Sequence, residues 1–182
     1  MLLEETYKLL KDAKHKILLS EDEIRRKVKE LGKQISKDYR GKCPILIGVL
    51  NGSFIFCADL FREITIDCEV DFIKISSYGE AMETSGVVKL LKDIDAHLED
   101  RHIIVVEDIV DSGYSVKFLE KKIRQVKPKS LKFVSLLVKQ EGAKVPYDIH
   151  YIGFKIPNRF VVGYGLDYAQ KFRNLPAVYL ME

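Results

Sequence analysis

Cysteine is scarce, with only Cys43, Cys57 and Cys68 in 182 residues. An odd number without Cys-x-x-Cys spacing rules out a complete disulfide framework and points to a reducing compartment. His15, His97, His102 and His150 have no metal-ligand spacing, so zinc is not indicated. No apolar run approaches the roughly 20 residues that cross a bilayer. Met1-Leu-Leu-Glu-Glu-Thr6 has neither a basic start nor an apolar core, so neither a secretory leader nor a membrane partner is expected, and a cytoplasmic setting is. A net charge of +3 would help attract anionic substrates but falls short of a nucleic-acid-binding signature. Repeats and low-complexity segments are also missing. With 47% hydrophobic and 31% charged residues, the chain reads as one ordinary globular domain over residues 1–182.

Local patterns predict an alternating α/β order. Ser20-Glu-Asp-Glu23 is a capping box that opens a helix with Ile24, Val28, Leu31 and Ile35 on one face. After Pro44, Ile45 to Leu50 reads as a buried strand, followed by Asn51-Gly-Ser53 and a second helix to about Phe61. Cys57, between Phe56 and Ala58 on that helix, reads as a small buried hydrophobe. Further apolar runs at Val70–Ile75, Val87–Leu91, Leu131–Val138 and Ile149–Phe154 predict a mostly parallel sheet flanked by helices. Ser77 to Gly86 is polar, glycine-bounded and aperiodic, which marks a long exposed hairpin or a functional loop.

The densest chemistry lies in His102-Ile-Ile-Val-Val-Glu-Asp-Ile-Val-Asp-Ser-Gly-Tyr-Ser115. Ile103 to Val106 lacks polar alternation and so predicts a central strand buried on both faces, whose carboxyl end is where such sheets bind ligands. Asp111-Ser-Gly-Tyr-Ser115 then leads into Val116, Leu119 and Ile123 at helical spacing. A loop at a helix N-terminus offers free N–H groups and the positive end of the dipole to a phosphate. Glu107 and Asp108 suit sugar hydroxyls, or a hard cation such as Mg²⁺ held partly by substrate oxygens. The expected ligand is therefore a ribose 5-phosphate with its reacting centre near Asp111. Single acids after a strand would read only as a solvated loop with Asp111 or Ser112 capping the next helix. A phospho-accepting receiver domain fits poorly, because it lacks a phosphate loop directly after its central acids.

Val105-Val-Glu-Asp-Ile-Val-Asp-Ser-Gly113 resembles the phosphoribosyl-pyrophosphate signature of the type I phosphoribosyltransferases. Val49-Leu-Asn-Gly-Ser53, Ser77-Tyr78, Leu136-Leu-Val-Lys139, Phe160-Val-Val-Gly-Tyr-Gly-Leu-Asp-Tyr168 and Phe172-Arg-Asn-Leu-Pro176 resemble, in order, the 6-oxopurine branch of that family in its shorter, bacterial form. The resemblance runs from about Ile45 to the C-terminus. It implies the type I fold, with a flexible lid at about 77–86 and a small base-binding hood at about 150–182. It also implies purine salvage: transfer of a 5-phosphoribosyl group from phosphoribosyl pyrophosphate to N9 of hypoxanthine or guanine, with Mg²⁺ as cofactor.

Site roles follow from the same resemblance. Asp111 is implied as the proton acceptor facing N7, and Glu107, Asp108, Asp111, Ser112, Gly113, Tyr114 and Ser115 as the holders of ribose and 5-phosphate. Leu50, Asn51, Gly52, Ser77, Tyr78 and Arg173 would bind pyrophosphate. Asn51 departs from the lysine that many relatives carry, which removes a cation there. Lys139 would donate to the purine 6-oxygen, Phe160 would stack on the ring and the Val161 main chain would read its edge. Asp167 would lie near the exocyclic edge and join Glu107 and Asp108 in holding metal. Members of this branch form dimers or tetramers, so a homo-oligomer is implied. An RNA-binding regulator that senses phosphoribosyl pyrophosphate is the alternative on the same scaffold, but here Lys and Arg are interspersed with acids instead of forming a broad basic face. A pyrimidine or adenine transferase conflicts with the C-terminal motif.

Overall fold

A computed structural model describes residues 16–77, 88–141 and 144–181. The described elements run in the order β1 (Lys16–Leu19), α1 (Glu21–Asp38), β2 (Ile45–Leu50), α2 (Phe54–Glu63), β3 (Glu69–Ser77), β4 (Val88–Lys92), β5 (His102–Val110), α3 (Tyr114–Arg124), β6 (Ser130–Lys139), β7 (Tyr151–Ile156), β8 (Val161–Val162) and β9 (Val178–Leu180). Six strands form one sheet in the order β4-β3-β2-β5-β6-β7, and only the β3–β4 pair is antiparallel.

The reading of β5 as doubly buried holds, and the packing shows why. Ile103 and Val105 point to one core with Ile45, Ile47 and the α3 residues Val116, Leu119 and Ile123. Ile104 and Val106 point to the other, with Leu46, Val134, the α1 residues Ile24, Val28, Leu31 and Ile35, and the α2 residues Phe56 and Leu60. Because successive strand residues face opposite ways, both faces must be covered, and an unbroken run of Ile and Val is the only pattern that satisfies both. Cys57 is buried in the second core as expected, and burial pushes its thiol up to about 12.

One expectation needs correction. The segment 150–182 is not one hood: β7 is the sixth strand of the large sheet, and the small sheet combines β8 and β9 with β1 from the other end of the chain, in the order β1-β9-β8. Strands this short carry no readable period. The plain-loop alternative, with Asp111 or Ser112 capping the next helix, is not what α3 shows. Its N-cap is Gly113, at φ +86° and with no side-chain cap bond, because the chain must turn there through the left-handed region that glycine alone enters freely.

The lid expectation falls largely outside the described residues. β3 and β4 pair up to Ser77 and Val88, so what lies between them joins the two strands of a hairpin. Tyr78 and the rest of 79–86 are not described.

The capping box on α1 is present in both directions: Ser20 N donates to Glu23 Oε2 at 2.8 Å, and the Ser20 hydroxyl accepts from Glu23 N at 3.4 Å. Replacing Ser20 with Ala is expected to cost about 1 kcal/mol, read as a lower denaturant midpoint with an unchanged slope. An unchanged midpoint would mean that the box contributes nothing to stability.

Candidate active site

Parallel pairing of β2, β5 and β6 brings their carboxyl ends to one edge. Gly48 pairs with Val106 and Val110 with Val138. That register sets the Leu50-Asn51-Gly52 turn, the acids of β5 and Lys139 side by side. A cavity of about 300 Å³ opens there, lined among others by Leu50, Gly52, Glu107, Asp108, Asp111 and Ser115, with Ser112 and Gly113 at its end. A larger cavity of about 600 Å³ lies between α1, α2 and the 164–176 segment. Its arginines are already paired, Arg25 with Glu21 and Asp22 and Arg62 with Asp59, so it has less unspent chemistry.

Glu107 is the most telling side chain. Only 4% exposed, it carries Oε1 with no hydrogen-bond partner. Burial, then the neighbouring Asp108 charge, holds its carboxyl well above the ordinary carboxylate range. Such an arrangement is costly for a protein alone, and perturbed acids in a cleft mark functional sites. Burial also pushes Asp108 up to about 6; main-chain N–H groups of Ile109 and Asp108 and the Arg173 charge oppose the rise, while the Asp167 charge adds to it. Asp108 packs directly over Gly52, where any Cβ would fall 1.7 Å from its Oδ2. Any larger residue there would have to displace the Asp108 carboxylate.

At the rim, Lys139 Nζ lies 2.7 Å from Asp111 Oδ2. Lys139 is 12% exposed on its side chain and Asp111 52%, so the pair presents a donor and an acceptor together at the mouth of the cavity. Beyond Asp111, the Ser112 to Ser115 main chain and hydroxyls open α3 with Gly113 as its first turn. This is the geometry of an anion cradle.

Arg173 and Asp167 are brought together in a way that sequence spacing did not suggest. Arg173 Nη2 reaches Asp167 Oδ1 at 2.7 Å and Nη1 donates to Gly165 O at 2.7 Å, while Gln170 N donates to Asp167 Oδ2 at 2.8 Å. Both carboxylate oxygens of Asp167 are thus engaged. Among the described residues, no group of three or more His, Cys, Asp and Glu side chains stands ready to hold a metal.

Phe160 is 51% exposed, so it is no core aromatic, and Tyr168 meets it edge-on with ring centroids 5.9 Å apart. Val161 is buried in β8. Phe160, Val161, Asp167, Arg173 and Lys139 do not line the 300 Å³ cavity themselves. Ser77 ends β3, and Asn51 is exposed in the turn after β2. The Leu50–Asn51 peptide is cis. Sequence reasoning missed Tyr168 as a partner of Phe160 and Tyr147 as a neighbour of Gly113.

The phosphoribosyl transferase domain family matches residues 15–169. The chain belongs to the phosphoribosyl transferase family. It is 45% identical over 170 residues to the hypoxanthine-guanine phosphoribosyltransferase of Bacillus subtilis (strain 168), covering 93% of this chain and 94% of that one. A solved hypoxanthine-guanine phosphoribosyltransferase from Bacillus anthracis is 50% identical with a TM-score of 0.87, over 92% of this chain and 98% of that one. The bifunctional protein TilS/HprT of Listeria monocytogenes serotype 4b is 44% identical over 167 residues, 92% of this chain, and the chain spans only 26% of that protein's length. The chain's fold is the type I one, with a mostly parallel central sheet.

The Asp108 titration has a definite sign. Its carboxyl moves from 3.8 to about 6 on folding, so the folded state keeps a proton that the unfolded chain has released. The stability linked to that proton is complete below about pH 4 and is lost as pH rises through about 6. In metal-free buffer, Asp108→Asn is therefore expected to raise unfolding stability at pH 7.5 by on the order of 1–3 kcal/mol and to change it little at pH 4. Equal effects at the two pH values would contradict the burial argument.

Proposed function

We propose that the chain transfers the 5-phosphoribosyl group of phosphoribosyl pyrophosphate to N9 of hypoxanthine or guanine, a purine-salvage reaction. The observation that carries this is a buried carboxylate with an unpartnered oxygen, Glu107, lining one cavity with Asp111, the partner of Lys139, and with Ser112, Gly113 and Ser115 at the start of α3. Ribose hydroxyls would donate to Glu107 and Asp108, supplying partners that the protein leaves out. The 5-phosphate would rest on the main chain of 111–115 with the Ser112 and Ser115 hydroxyls, and Tyr114 would begin the helix behind it.

The base would meet Lys139 and Asp111 with its 6-oxygen and N7, an acceptor and a proton side by side that match a donor and an acceptor held 2.7 Å apart. The N9–C1 bond forms as the bond from C1 to the pyrophosphate oxygen breaks, and its electron pair leaves with pyrophosphate. Asp111 takes the proton from N7. The exposed face of Phe160, held edge-on by Tyr168, would stack on the ring, and the Val161 main chain would meet its edge. Adenine would bind poorly, since its 6-amino group offers no acceptor to Lys139.

Leu50, Asn51, Gly52, Ser77, Tyr78 and Arg173 would bind the pyrophosphate. Arg173 is spent on Asp167 and Gly165, so turning toward pyrophosphate would release an Asp167 oxygen. Mg²⁺ fits the residues at hand: the orphan oxygen of Glu107 and the adjacent Asp108 would hold it together with substrate oxygens, and Asp167 would join once free of Arg173. When bound it would neutralise charge on the departing pyrophosphate. The chain's own share is to orient the sugar, exclude water beneath it and receive the proton.

The Bacillus relatives are named as transferases, which weighs against the RNA-binding alternative. A homodimer or homotetramer in the cytoplasm completes this reading, the former checked by light scattering.

The test is to incubate the protein with phosphoribosyl pyrophosphate, Mg²⁺ and each of hypoxanthine, guanine, xanthine, adenine and uracil and to assay nucleotide. Turnover with hypoxanthine or guanine is expected, and none with any oxopurine would refute the reading. Asp111→Asn is expected to keep substrate binding and to slow single-turnover transfer by ~10²-fold or more; a near-normal rate would show that another group takes the proton. Lys139→Ala should weaken base binding far more than phosphoribosyl pyrophosphate binding, and equal losses would make its role structural.

A further inference from the structure

The connection between β6 and β7 does more than join two strands. Among its described residues, Val145, Tyr147 and Ile149 are half-buried while Lys144, Pro146 and Asp148 are exposed, the alternation of an extended segment laid on a surface. Pro146 helps keep it extended. Its inward side meets the loop before α3 at two places. Lys144 N and Val145 N both donate to Ser112 O, at 2.9 and 3.3 Å. The Tyr147 ring fills the space beside Gly113, so that a Cβ on Gly113 would fall 2.4 Å from Tyr147 Cδ1 and 3.0 Å from Val145 O. Tyr147 packs in turn on the core that holds Val116 and Leu119 of α3.

Gly113 sits in the left-handed region at φ +86° and has no side-chain cap to hold it. A left-handed glycine has wide freedom when nothing confines it. Here the confinement comes from outside the loop, from a flat ring on one side and two N–H groups on the adjacent carbonyl. Two N–H groups of the connection thus hold the Ser112 carbonyl, next to the point where Ser112 and Gly113 line the cavity. The same connection starts at Lys139, which grips Asp111. One segment thus braces both ends of the 111–113 turn.

We propose that Tyr147 is a positioning residue for the 5-phosphate cradle: its ring holds Gly113 in the conformation that aims the 112–115 N–H groups at the phosphate. This rests on reading 112–115 as that cradle. The ring, not the hydroxyl, carries the effect.

The test uses Tyr147→Ala, Tyr147→Leu and Tyr147→Phe in the full chain. KM for phosphoribosyl pyrophosphate, KM for hypoxanthine and the affinity for ribose 5-phosphate by calorimetry are measured on each. Loss of the ring should raise KM for phosphoribosyl pyrophosphate about 10-fold or more in both Ala and Leu variants, the scale of one lost charge-assisted hydrogen bond. KM for hypoxanthine should stay within about 2-fold in both. Tyr147→Phe should match the unsubstituted protein. Unchanged KM for phosphoribosyl pyrophosphate in Tyr147→Leu, equal rises for both substrates, or a Phe variant as impaired as Ala would each overturn the proposal. If Ala fails to fold, the Leu and Phe variants decide alone. Should the unsubstituted protein bind ribose 5-phosphate yet transfer nothing, the proposed reaction fails while the calorimetric comparison still judges Tyr147.

Discussion

Everything at the ligand edge depends on β5 lying parallel between β2 and β6. Parallel strands align their carboxyl ends, and the pairing of Gly48 with Val106 and of Val110 with Val138 leaves little freedom in how three loops meet. From that one register come the contact of Asp108 on Gly52, the reach of Lys139 to Asp111, and the placement of the α3 N-terminus beyond both. A one-residue slip of β5 would turn Ile103 and Val105 to the opposite core and carry Glu107 out of its buried place. The packing on both faces is what forbids the slip.

That same packing makes the site energetically tense. Glu107 is carried inside by a strand whose other residues belong there, and it arrives without a partner for Oε1. Its neighbour Asp108 is pushed up to about 6 by burial. A buried acid beside a half-buried one favours a ligand rich in hydroxyl donors, or a cation, over bare solvent. The nearby Arg173–Asp167 and Lys139–Asp111 pairs satisfy their own charges at 2.7 Å until something better arrives.

What could be read from the chain followed from local physics. A strand buried on both faces shows itself as an unbroken Ile-Ile-Val-Val run, a helix start as Ser20 with Glu23, and the start of α3 as Ser-Gly-Tyr-Ser opening a helical period. What could not be read was either short or nonlocal. β1, β8 and β9 have at most four residues each, too few to show alternation, so no local pattern separates their small sheet from the rest of 150–182, whereas the apolar run of β7 does announce a strand of the large sheet. The capping of α3 by Gly113 instead of Asp111 or Ser112 depends on a ring 34 positions away, Tyr147, that no local pattern announces. The pairing of Arg173 with Asp167 is equally silent in the sequence, because a turn-rich segment can fold back on itself in ways that spacing does not encode. Of the residues that the family resemblance singles out, the geometry pairs Lys139 with Asp111 and Arg173 with Asp167.

The central claim is that the edge of β5 binds a phosphorylated ribose in one orientation, phosphate on the α3 N-terminus and sugar hydroxyls on the buried acids. A crystal structure with inosine 5′-monophosphate tests it most directly. The account predicts phosphate oxygens within hydrogen-bond distance of the 112–115 main-chain N–H groups, ribose hydroxyls on Glu107 and Asp108, and the base 6-oxygen on Lys139. A nucleotide seated the other way round, or bound in the larger cavity beside α1 and α2, would contradict it.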